Sequence, residues 1–147
     1  MRYIYIGTAV VIIILTLSTV LLFGGKHYYP VVRAQFPDGV TLTFVEQPWS
    51  DAGACKKEND KAVAAIRAKC AQCTFELVSC PQKLEAAWED AINRRPVKMY
   101  VVHTEMQHIL IEATSGTAQQ ICVGMAQQIT QQGKQRGQCV LPYRPPS

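Results

Sequence analysis

Six cysteines, at positions 55, 70, 73, 80, 122 and 139, carry the most legible chemistry in this 147-residue chain. Cys70-Ala71-Gln72-Cys73 has the spacing of a disulfide oxidoreductase, and Cys55, Cys70, Cys73 and Cys80 together offer four thiolates to zinc. Their surroundings suit neither role. A reactive thiol is held as thiolate by a helix N-terminus or by nearby cations, whereas Cys70 follows a helical pattern and meets a dipole of the wrong sign. Zinc is supported by a single C-x-x-C, and an oxidising compartment disfavours it. An even number of cysteines in a domain of about 110 residues fits a disulfide framework outside the cytosol. No metal or other cofactor is expected.

Two other groups could do chemistry. His103, Glu105 and His108, with Glu112 further along, combine imidazole and carboxylate and could serve zinc or general acid–base catalysis. They flank a turn, and nothing in their spacing forces the two rings together, so they read as exposed hairpin residues. Thr114-Ser115-Gly116-Thr117 joins a strand to a helix and is the candidate ligand-binding loop. Backbone N–H groups there could receive an anion such as phosphate or carboxylate. The loop lacks the lysine and full length of a phosphate loop, and N-capping accounts for the same residues. Ser115 has no partner that spacing can assign, so no catalytic residue is named.

The candidate partner surface follows that loop. Gln119, Gln120, Gln127, Gln128, Gln131 and Gln132 form the polar face of a helix without a charge between Thr117 and Gly133. Neutral amides are buried at lower cost than ions, which suits a protein contact.

The elements that must position these residues are read from periodicity. Val40–Glu46 alternates as a strand, Ser50 caps a helix over residues 51–69, and residues 74–78 form a second strand. Pro81 opens a helix that buries Leu84, Ala87, Trp88, Ala91 and Ile92 at amphipathic spacing, until Pro96 stops it. Residues 97–103 and 107–114 form a hairpin around Glu105-Met106. A helix over 117–132 buries Ala118, Ile121, Cys122, Met125 and Ile129, and residues 138–141 are a last strand. The fold class expected is α+β, with the order β-α-β-α-β-β-α-β. Its last six elements have the order of a split βαβ, ferredoxin-like arrangement, preceded by one βα unit. Helices on one face of a mixed sheet would bury both element types. No internal repeat is visible.

That architecture selects a disulfide scheme. From Cys55 to the helix end at Lys69 is about 21 Å at 1.5 Å per residue. The returning strand from Cys73 to Cys80 covers about 23 Å at 3.3 Å per residue, so Cys55 and Cys80 lie level. The same reckoning sets Cys139 beside Cys122 and leaves Cys70 with Cys73. The expected bonds are Cys55–Cys80, Cys70–Cys73 and Cys122–Cys139, with 55–73 and 70–80 as the rival pairing.

Ile4 to Phe23 is a charge-free run of twenty residues, roughly 30 Å as a helix, enough to cross one hydrocarbon core. It is longer than a signal-peptide core and no small-x-small site adjoins it, which favours an uncleaved anchor. Arg2 favours a cytoplasmic start, Lys26 and Arg33 pull weakly against it, and the cysteines decide for a C-terminal domain in the periplasm or an equivalent space. Residues 1–25 are then start and anchor, 26–39 a juxtamembrane connector, 40–142 the extracytoplasmic domain and 143–147 a flexible tail. Beyond the flanks, twelve basic residues face eleven acidic ones, which gives no basic excess for a nucleic-acid partner. The expected partners are the lipid bilayer and an envelope protein. Two functional classes remain: an accessory or protein-interaction module of an envelope assembly, or a small envelope enzyme or anion-binding domain using residues 114–117.

Overall fold

The computed structural model describes residues 25–133 and 135–143. The anchor expected over 4–23, most of the start-and-anchor region 1–25 and most of the tail 143–147 lie outside them. Among the described residues no helix is long and apolar enough to cross a membrane.

Nine elements follow one another: β1 (Val31–Gln35), β2 (Thr41–Glu46), α1 (Ala52–Lys69), β3 (Thr74–Ser79), α2 (Ala86–Ile92), β4 (Tyr100–His103), β5 (Gln107–Glu112), α3 (Ser115–Gln131) and β6 (Gln138–Val140). The strands make one six-stranded sheet in the order β3-β1-β2-β5-β4-β6, antiparallel at every pairing. The domain is thus α+β, but several expectations need correction.

The connector over 26–39 contains β1, paired with β2 on one side and β3 on the other. Val31, Val32 and Ala34 are all buried, because one sheet face packs on α2 and the other on α1. A strand covered on both sides loses the polar–apolar alternation that marks strands in sequence. Pro37-Asp38-Gly39 forms the turn that joins β1 to β2. Gly39 takes φ +83°, Phe36 N–H bonds the Val40 carbonyl at 2.8 Å, and Asp38 Oδ1 accepts from Val40 N–H.

With β1 in place the ferredoxin-like arrangement and the mixed sheet both fail. β3 lies at a sheet edge, separated from β5 by β1 and β2. Nor are the helices on one face. α2 buries Trp88 and Ala91 against Val31, Val45, Val101 and Leu110, while α3 packs on Leu42, Val102, Ile109 and Ile111 of the opposite face. α1 lies on the α3 side, with Arg67 stacked over the Phe75 ring.

The element borders shift for local reasons. Asp51, not Ser50, caps α1, its carboxylate accepting from Ala54 N–H at 2.7 Å. Pro81 does not open α2, which begins at Ala86, although Leu84 still joins the same core cluster.

The order contains a repeat that no residue pattern announces. β1-β2-α1-β3 and β4-β5-α3-β6 have the same connectivity, each edge strand pairing with the first strand of its own hairpin, and β2 with β5 joins the halves. A pseudo-two-fold axis falls near the Phe44–Ile109 pair. Val31-Val32 then matches Val101-Val102, and Asn59 of α1 matches Cys122 of α3. All six cysteines are bonded, as Cys55–Cys80, Cys70–Cys73 and Cys122–Cys139. The first and third bonds each tie a helix to its own edge strand.

Candidate functional site

A broad concave surface among the described residues lies across the pseudo-axis, between α1 and α3, with a volume of about 690 Å³. Its existence follows from the sequence of α1. In eighteen residues α1 buries only Cys55 and Asn59, both in its first half. Cys55 is bonded to Cys80, and Asn59 Nδ2 donates to the Ser79 carbonyl at 2.8 Å. In the second half Ala62, Val63 and Ile66 stay half-buried. The α1 side chains that line this face, chiefly Ala62, Ala65 and Ile66, are too small to cover it, so its centre is left open. Phe44 sits on a central strand yet is only half-buried.

The groove repeats the symmetry of the fold. Its walls pair Ala62 with Met125, Ala65 with Gln128, Ile66 with Ile129 and Lys69 with Gln132, each 63 positions apart. Its floor pairs Leu42 with Gln107 and Phe44 with Ile109, each 65 apart. The surface is apolar at the base and amide-rimmed on the α3 side.

The candidate residues of the sequence are distributed differently from one another. Thr114, Ser115, Gly116 and Thr117 are exposed at the start of α3; Thr114 caps it without a side-chain bond to the backbone, its hydroxyl donating instead to Thr117 Oγ1 at 2.9 Å. Gln119, Gln120 and Gln127 lie on the outer side of α3 around Val123 and Gly124, and Gln131 lies beside Gly137. Gln128, with Gln132, is the part of the glutamine face that turns into the groove. The C-x-x-C thiols are joined to each other.

His103 and His108 are not exposed hairpin residues. Both are buried, and their Nδ1 atoms lie 2.7 Å apart with the rings edge-on. The strand register brings them together, since His103 sits directly opposite His108 in the β4–β5 ladder. One ring donates and the other accepts, which requires at least one neutral imidazole. Burial and then Arg94 lower the His103 pKa. Burial, then His103, then Arg94 push His108 down to about 4. Glu105 is exposed at the turn. Glu112 is engaged elsewhere, at 2.6 Å from Arg33, which also holds Glu76 at 2.8 Å. The four residues therefore form no common site, and among the described residues no cluster of three or more His, Cys, Asp or Glu could hold a metal.

Sequence reading missed the groove because its residues, read singly, are ordinary core positions. The available signal was the thin apolar complement of α1. No family model matches the chain, and neither a curated protein nor a solved structure matches it significantly.

Proposed function

We propose that the protein is a membrane-tethered interaction module of the cell envelope, whose α1–α3 groove receives a protein partner. The groove with the partly buried Phe44 at its base is the observation that carries this reading. Exposing an aromatic ring on a central strand forfeits burial at about 25 cal/mol per Å², which a bound apolar surface would recover. The charge-free run over 4–23 supports a tether, and the three disulfides support an oxidising location such as the periplasm. The domain begins β1 at Val31, only a few residues past that run, so it would lie close to the lipid headgroups.

The test is co-purification of the intact protein from membranes in mild detergent. Ala65 and Gln128 are exposed on opposite rims, so Ala65→Glu with Gln128→Glu leaves the core untouched while placing carboxylates at the groove mouth. The expected result is loss of a partner that a Gln119→Glu, Gln120→Glu control on the outer side of α3 retains. Retention of every partner by the groove variant would refute the reading.

A further inference from the structure

Resting on that reading of the groove, we infer that its occupant is a single amphipathic helix of the partner, apolar toward Phe44 and Ile109 and acidic on the flank beside α1. The first argument is width. α1 packs on β1 and β3, and α3 chiefly on β4 and β6 with a lesser contact to β5. Four strand intervals separate the midpoints of those two pairs. At about 4.8 Å per interval the helices stand roughly 19 Å apart. Packed helices lie about 8–10 Å apart, so the gap holds one further helix in contact with both walls and leaves no room for two. The opposite face shows the same place filled, where α2 lies over the central strands and buries Trp88.

The second argument is hydrogen bonding. An extended peptide binds by adding to an open sheet edge, but β2 and β5 are each paired on both sides. No backbone group at the groove floor is free for a strand. A helix satisfies its own backbone and asks the floor only for apolar contact.

Charge decides the flank. α1 carries Lys56, Lys57, Lys61, Arg67 and Lys69 against Glu58 and Asp60, whereas α3 has no charged residue. Lys69 lines the groove, and Lys61, paired with Glu58 at 2.6 Å, stands one turn before Ala65. A helix lying between them meets cations on one side and neutral amides on the other, so its acidic flank faces α1.

The inference is tested with defined peptides and the full chain in neutral-lipid nanodiscs, using fluorescence anisotropy. The probes are a sixteen-residue peptide with leucines at i, i+3, i+4 and i+7 and glutamates along one flank, its isomer with lysine for glutamate, and a same-composition peptide with leucine at every second position. The glutamate helix should bind about five- to tenfold more tightly than the lysine helix at low salt, as expected from a few exposed ion pairs reversed in sign. Lys61→Glu with Lys69→Glu should erase that ratio. Equal binding of the two helices, or equal binding of the alternating peptide, overturns the inference. So does a photocrosslinker at Ala65 in native membranes that captures only residues 4–23 of this chain, or only a second copy. If no helical peptide binds while the groove variant still loses its envelope partner, the helical occupant is wrong and the groove reading stands. If the groove variant keeps every partner, the groove reading itself fails.

Discussion

Acid should loosen this domain through the buried histidine pair. In the unfolded chain an imidazole titrates near 6.5, and in the folded protein His108 is pushed down to about 4. The unfolded state therefore binds more protons across that interval, so stability is complete above pH 6.5 and falls as the pH drops toward 4. A difference of about 2.5 pH units is worth about 3 kcal/mol in all, of which about 2 kcal/mol is already lost at pH 5. His103, also lowered, acts in the same direction. Glu46, raised above 4.5 by burial and by Glu58, works in the opposite sense within the same interval, from its raised value down to 4.5, and offsets part of the loss. With a urea dependence of about 1.5 kcal/mol per molar, the oxidised protein should lose about 1–1.5 M in its urea midpoint between pH 8 and pH 5. The His103→Gln, His108→Gln variant should lose much less over the same range. An equal pH slope in wild type and variant would refute the reasoning, as would an NMR titration placing His108 near 6.5.

Other expected outcomes follow from packing and covalent closure. Removing the 25-residue-separated bond by Cys55→Ser with Cys80→Ser should cost about 3.5 kcal/mol, against about 1.5 kcal/mol for the local bond by Cys70→Ser with Cys73→Ser, read by urea denaturation. Trp88→Ala, at a residue only 5% exposed, should cost about 3–5 kcal/mol in the same assay. A Cβ on Gly137 would meet the Ala126 carbonyl oxygen at 2.6 Å, so Gly137→Ala should lower the melting temperature. Gly124 has open space around it within α3, so Gly124→Ala should raise stability by about 0.5–1 kcal/mol.

How much was legible in the sequence depended on how far each signal reached. α1, β2, β3, the β4–β5 hairpin and α3 were readable within a few residues, because half-buried elements carry their period in the chain itself. The rises of helix and strand, which are constants of the backbone, set Cys55 level with Cys80. β1 was not readable, because Val31, Val32 and Ala34 are covered on both faces and show no alternation.

The sequence alone determined the inventory: six cysteines, a charge-free run long enough for a bilayer, a near-neutral domain, and an α3 without charges. Tertiary structure decided what those pieces enclose. Only pairing across the sheet sets His103 against His108, places α2 on the far face, and brings Ile66 and Ile129 to opposite walls of one groove. The reason is physical: local periodicity records which side of an element is apolar, whereas a pocket arises where the apolar sides of distant elements fail to meet. Here α1 has too little side-chain volume to close the gap, and no residue of α1 read by itself shows how wide that gap will be.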